Sequence, residues 1–223
     1  MAGIAGSTTY GVAKGANIIS VRVGSKTNIE VSDVIDGIQW MIRRHESQKD
    51  LIEFRGSVAS LAFQAAVRSK TLEEVVKGAS KGNIHFTLAA GNDKRNACKS
   101  SPARVSKDPG SSVVTVGAIN VNDRRSKFSN FGSYVTVYAP GEDIRSLGKG
   151  TAVATKVKSG TSMACPHIAG LMAVFLAQDQ SLRFDTPRMK QKIIDMAQKV
   201  ELEIGKNKAG DPGIVANNGI LRQ

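Results

Sequence analysis

Ser162 lies in the run Ser159-Gly160-Thr161-Ser162-Met163-Ala164-Cys165-Pro166-His167, with a glycine two residues before it and an apolar helical pattern after it. A serine that opens a helix has its hydroxyl beside unpaired N–H groups and the positive end of the helix dipole, a setting that favours developing negative charge. Gly160 lets the backbone turn sharply and lets another chain come close. Ser162 is therefore a candidate nucleophile for acyl transfer, a reaction that also needs a base and oxyanion donors. A second candidate lies in Leu88-Ala89-Ala90-Gly91-Asn92, where an apolar run ends in small residues and a carboxamide. The Asn92 amide and the Ser162 N–H are suited to donate jointly to a tetrahedral oxyanion. Taken one at a time, Ser162 also reads as an N-cap serine and Asn92 as a turn residue after Gly91.

A base is harder to find. The chain has three histidines. His167 follows Ser162 by five residues on the same helical pattern, which turns it about 140° away around the axis; it reads as a packed structural histidine. His45 sits among Arg43, Arg44 and Glu46 and reads as part of a solvated helix end. His85 falls early in an apolar strand, a core or edge position. Asp33, Asp36 and Asp50 stand in no context that would orient an imidazole.

The elements that would position these residues follow from periodicity. Asn17–Val23, Ser57–Phe63, Ile84–Ala90, Val113–Ala118 and Val135–Tyr138 read as strands. Val34, Ile35, Ile38, Met41 and Ile42 fall on one face of a helix capped by Ser32 and running to about His45. Thr71-Leu72-Glu73-Glu74 has the capping-box pattern, and Gly82 would stop the helix that follows. Longer helices are predicted from Ser162 to about Gln178 and from Thr186-Pro187 to about Val200. Apolar strands alternating with helices imply an α/β fold: three layers, with a mostly parallel sheet flanked by helices. Chemistry in such sheets gathers at the carboxyl ends of the strands, where both Asn92 and the Ser162 turn fall.

Bulk composition narrows the partners. The chain has 223 residues, 41% hydrophobic and 22% charged, enough for one globular domain with a sizeable core. The formal charge is +12, but its basic pairs, such as Arg43-Arg44, Lys94-Arg95 and Arg124-Arg125, are scattered. No zinc-finger spacing and no basic strip interleaved with aromatics is present, so a solvated basic surface is read and no nucleic-acid partner is expected. No apolar stretch reads as a membrane span, and the first residues lack the basic region of a signal peptide. Cys98 and Cys165 are too few for a disulfide scaffold; they can pair with each other, stay free or pair elsewhere, and Cys165 reads as a free buried thiol.

Four stretches resemble the subtilisin-like serine proteases, or subtilases, above all the proteinase K and cerevisin branch. They are Tyr10 to Lys14, Leu88 to Asn92, Asn122 to Gly132 (NDRRSKFSNFG) and Ser159 to Gly170 (SGTSMACPHIAG). The resemblance implies a serine endopeptidase that acts on protein or peptide substrates, outside the cell or in the vacuole, as a monomer. It implies Ser162 as nucleophile and Asn92 as oxyanion donor, and Ala62, Phe63, Gln64, Ala90, Gly91 and Gly160 as the substrate-binding surface. The triad order of the family is Asp, His, Ser. Both partners of Ser162 belong to D-[ST]-G and H-G-T-H-V-A-G segments upstream, and Met1-Ala2-Gly3 aligns with V-A-G. Residues 1–223 therefore read as the larger, C-terminal part of one peptidase domain, with the sheet incomplete at the N-terminus, and inert without its base. A non-catalytic pseudoprotease or peptide-binding protein is the alternative.

Two departures stand out. Relatives carry S-L-G where this chain has Ala62-Phe63-Gln64, which puts a side chain where substrate backbone must approach. They also carry a calcium-binding aspartate where this chain has Thr136; the resemblance leaves calcium open, but with that carboxylate replaced no metal or other cofactor is expected. The small residues Ala90 and Gly91 predict a roomy, uncharged wall for the substrate side chain next to the scissile bond.

Overall fold

Four strands, of which the two central ones are apolar enough to be covered on both faces, form a parallel ladder. In the computed structural model, which describes residues 1–25, 29–151, 153–199 and 210–218, they are β1 (Ser57–Leu61), β2 (Ile84–Ala89), β3 (Val114–Ile119) and β4 (Val137–Pro140). Every residue of β2 and β3 is buried. The pairing is β1 to β2 to β3 to β4, all parallel, with Leu61 opposite Leu88 and Val116 opposite Val137. Two short strands from the C-terminal region, β7 (Gln198–Lys199) and β8 (Ile214–Val215), extend the sheet beyond β4; β8 is parallel to β4 and β7 antiparallel to β8. A separate antiparallel hairpin, β5 (Ile144–Leu147) with β6 (Thr155–Lys158), precedes the Ser162 turn; its polar exposed sequence gave no strand signal.

Period-two alternation sorts the sheet residues between two helical layers. Ala59, Ile84, Phe86 and Leu88 face α2 (Val31–Gln48) and α3 (Lys70–Lys81) through Val34, Ile38, Leu72, Val76 and Ala79. Ala89, Val114, Val116, Ala118 and Val137 face α4 (Thr161–Gln178) and α5 (Thr186–Asp195) through Ile168, Met172, Phe175, Met189 and Ile193. Helix α4 is apolar on nearly every side because it is sandwiched: the sheet lies on one flank and α1 (Ala2–Gly6) on the other. Gly170 permits that second contact; a Cβ there would stand 2.8 Å from Ala5 O and 2.7 Å from Val12 Cβ. By length and composition α4 also suits a membrane span, which the sequence reading missed, yet most of it is buried inside the fold.

The expected fold class therefore stands, with local corrections. Asn17–Val23 is extended but joins no ladder among the described residues. Its alternation survives as packing: a Cβ on Gly37 of α2 would meet Val21 and Val23, while Ile18 and Ile19 are about half exposed. A strand needs a hydrogen-bonding neighbour, and apolar alternation alone does not supply one. Helix α2 starts one residue before Ser32, with Glu30 at the cap. Helix α3 is capped by Ser69, whose side chain accepts from Leu72 N–H, in place of the Thr71 pattern; Gly82 ends it as expected. Strand β1 stops at Leu61, and α5 stops at Asp195, well before Val200, which lies outside the described residues.

Candidate active site

Ser162 is the second residue of α4, placed at the carboxyl ends of β1 and β2. The turn into α4 is made by Gly160 with φ +149°, a backbone conformation that side-chain-bearing residues rarely adopt. Gly160 N–H donates to Gly141 O at 2.7 Å, which ties the turn to the end of β4. Thr161 N–H donates to Asn92 Oδ1 at 2.9 Å, and Met163 N–H returns to Gly160 O at 2.9 Å. The N–H of Ser162 has no partner among the described residues and is available at the helix N-terminus. Further along, Pro166 has no N–H to give to the Ser162 carbonyl four residues earlier, so the first turns of α4 are held by their surroundings.

Asn92 is held by the acceptor end of its amide. Its Oδ1 takes hydrogen bonds from Thr161 N–H and from the Thr161 hydroxyl, at 2.9 and 3.1 Å. The Thr161 hydroxyl in turn accepts from Gly91 N–H at 3.1 Å and is fully buried. With Oδ1 fixed in this way, Nδ2 is the end left to donate, and it sits 3.6 Å from the ideal Cβ position of Gly160. Ser162 N–H and Asn92 Nδ2 are thus two free donors at one turn, the arrangement an oxyanion requires. Thr161 carries this geometry, and the sequence reading missed it; the only signal was a hydroxyl residue between the two motif residues.

The Ser162 hydroxyl is half-buried and reaches Ala62 O at 3.5 Å, a long contact at the end of β1. None of the three histidines lies against it. His167 Nδ1–H donates to Met163 O at 2.9 Å, the packed position expected. His85 is buried in β2 with Nε2 at 3.3 Å from Arg183 O. His45 corrects the sequence reading: it is 2% exposed, not solvated. Its Nδ1 meets Ser57 Oγ at 3.0 Å, and its ring packs edge-on against Phe54 and Phe184. Neighbouring charges hid that burial, because the last turn of α2 points only His45 inward.

Ala62, Phe63 and Gln64 follow β1 directly and are half-buried; Ala90 is buried and Gly91 faces them. Gly91 has φ +103°, and a Cβ on it would overlap the Gln64 Oε1 and Asn130 Nδ2 atoms. The wall expected to be roomy is therefore covered by the Gln64 side chain. Gln64 Nε2 donates to Asp93 Oδ2 at 2.5 Å. Asn130, fully buried, braces the same loop by accepting from Asp93 N–H and Arg95 N–H at 3.0 Å each and donating to Ala90 O at 2.9 Å.

Both cysteines are free, and Cys165 is fully buried. Its thiol donates to Thr87 Oγ1 at 3.2 Å, and burial pushes its pKa up to about 11. Thr136 N–H donates to Thr115 O at 2.8 Å, and its hydroxyl accepts from Thr115 N–H at 3.1 Å. A calcium ion wants several oxygen donors, carboxylates among them. The Thr136 hydroxyl is used in strand pairing instead. No group of three His, Cys, Asp or Glu side chains gathers among the described residues.

A serine hydroxyl at a helix N-terminus thus stands beside a side-chain amide at the carboxyl edge of a parallel sheet. The subtilase family profile matches residues 1–219, and the chain belongs to that family. It is 42% identical over 204 residues to Subtilisin-like protease 3 of Saccharomyces cerevisiae, covering 86% of this chain and 41% of that protein. It is 42% identical over 182 residues to cerevisin of the same yeast, covering 79% of this chain and 27% of cerevisin. It is 40% identical over 205 residues to Alkaline protease 2 of Aspergillus fumigatus, covering 84% of this chain and 40% of that one. A cold adapted subtilisin-like serine proteinase of known crystal structure superposes with TM-score 0.80 at 35% identity, covering 94% of this chain and 70% of that one. The chain thus spans less than half the length of these curated relatives.

Proposed function

We propose that this chain is the nucleophile-bearing part of a serine endopeptidase domain that hydrolyses peptide bonds in protein substrates, extracellular or vacuolar like the family it resembles. Ser162 is the nucleophile. Ser162 N–H and Asn92 Nδ2 stabilise the oxyanion, and Ala62 to Gln64 with Ala90 and Gly91 flank the bound peptide. The observation that carries this reading is the pair of free donors fixed by Thr161 beside the Ser162 hydroxyl. The chain on its own is inert, because a serine hydroxyl attacks poorly unless a base takes its proton. All three imidazoles are engaged elsewhere, with Ser57, Arg183 and Met163.

The test is direct. The purified chain is expected to leave casein intact and to resist labelling of Ser162 by a fluorophosphonate. Fusing the Asp- and His-bearing segments of cerevisin upstream is expected to give activity that Ser162→Ala abolishes. Ser162-dependent cleavage by the unmodified chain would overturn the account of the missing base. A well-folded fusion that stays inert would favour the non-catalytic peptide-binding reading. That second reading draws on the Gln64 side chain, which covers Gly91.

A further inference from the structure

Gln64 and Asp93 come from different strand ends, and their side chains meet beside Gly91. Gln64 follows β1 and Asp93 follows β2. The backbone on each side is fixed. Ala65 is buried, and its N–H donates to Ser101 O at 2.9 Å; Asp93 N–H donates to the buried Asn130. The pair continues outward, since Arg95 Nη2 lies 3.2 Å from the same Asp93 Oδ2. A chain of amide, carboxylate and guanidinium therefore holds the Gln64 side chain over Gly91. The charged member makes the amide bond stronger than a neutral pair.

We propose that this Gln64–Asp93 clasp sets substrate specificity by occupying the space that a large side chain would enter next to the scissile carbonyl. With the clasp closed, the groove takes peptides whose residue at that position is glycine or alanine. Larger residues bind only when Gln64 swings out and gives up its bond to Asp93. The positions are those of a peptide groove with a bare glycine on one wall, Gly91, and a long polar side chain laid across it from the other. The proposal rests on the reading of Ala62–Gln64 and Ala90–Gly91 as a peptide groove.

The experiment uses the purified 223-residue chain and two probes, the tetrapeptides acetyl-Ala-Ala-Ala-Ala and acetyl-Ala-Ala-Ala-Phe with free carboxylates. Binding is followed by the backbone amide signals of Gly91, Asn92 and Ser162 in two-dimensional NMR. The Ala-ended peptide is expected to bind the wild-type chain at least tenfold more tightly than the Phe-ended one, within the range by which hydrophobic pockets discriminate side chains of different size. Gln64→Gly is expected to raise affinity for the Phe-ended peptide about tenfold and leave the Ala-ended one nearly unchanged. Asp93→Ala, which frees Gln64 without altering its backbone, is expected to act in the same direction with smaller effect. Equal binding of both peptides to wild type, unchanged in both variants, would overturn the clasp and leave the groove standing. Absence of shifts at Gly91, Asn92 and Ser162 for every peptide in all three proteins would overturn the groove reading, and the clasp with it.

Discussion

Asn92 Oδ1 accepts from both the backbone and the hydroxyl of Thr161, at 2.9 and 3.1 Å, so the residue that aims the Asn92 amide is also the first residue of the helix that carries Ser162. The same hydroxyl accepts from Gly91 N–H. Thr161→Val keeps the shape and removes both hydroxyl bonds, stranding a buried Gly91 N–H. A stranded buried donor costs about 1–3 kcal/mol. Urea unfolding should show Thr161→Val less stable by about 2 kcal/mol and Thr161→Ser close to wild type. A valine variant as stable as wild type would refute the brace.

Acid should weaken the fold through two buried histidines. His85 has its pKa lowered to about 4 by desolvation, and His45 is lowered by desolvation, with Lys49 and Arg183 opposing its charge and Glu46 favouring it. Both bind protons less readily folded than unfolded, where a histidine titrates near 6.5. The stabilisation is therefore complete above about pH 6.5 and is lost as pH falls from there towards the folded value. For His85 the loss between pH 7 and pH 5 is on the order of 2 kcal/mol. Thermal midpoints measured across that range should fall for wild type and fall less steeply for His85→Gln. Parallel pH profiles would show that His85 does not titrate in this way.

A buried ion pair lies against Tyr138 of β4. Tyr138 O–H donates to Asp211 Oδ2 at 3.0 Å, and Arg125 Nε lies 3.9 Å from the same oxygen. Arg125 is 6% exposed and also stands over the Phe131 ring. Asp211→Ala leaves a buried guanidinium without its carboxylate, a change that costs about 3–5 kcal/mol. Chemical denaturation should place Asp211→Ala at least about 3 kcal/mol below wild type. A loss under about 1 kcal/mol would mean that Asp211 contributes little.

Thiol chemistry reads the α4 interface. Cys165 is buried against Ser60 and Thr87 with its thiol pKa raised, while Cys98 is partly exposed. A disulfide reagent of the Ellman type should label one thiol per native chain and two in denaturant, since only accessible thiolate reacts. Labelling of both at similar rates without denaturant would contradict the packing of α4 on β1 and β2.

Periodicity was enough to place β2, β3 and α4, because in these the local pattern and the tertiary role coincide. An apolar run with β-branched residues becomes a strand buried on both faces, and an all-apolar helix becomes a central one. The Ser162 turn was legible for a related reason. Gly160 answers a backbone requirement and Ser162 opens the helix beside it, and both signals act over three residues.

Where an outcome depended on a neighbour distant in sequence, the reading failed. Asn17–Val23 has strand composition, but no strand pairs with it among the described residues, and a ladder is a property of two segments. His45 lies among charged neighbours and is buried, because rotation about the α2 axis, set by Val34 and Ile38 in the core, turns it alone towards Ser57 and Phe184.

Chemistry at the level of residue type was thus determined by the sequence itself: a helix-opening serine, a carboxamide after a glycine, and a long polar side chain at Gln64. Tertiary structure decided which end of the Asn92 amide is free, through Thr161 some 69 residues later in the chain. It also decided that Gln64 bends over Gly91 to reach Asp93, 29 residues away. Such bonds leave no trace in local periodicity, because loops of this length close at a cost that grows only slowly with separation, so any of many polar partners was open to each side chain until the sheet brought β1 and β2 side by side.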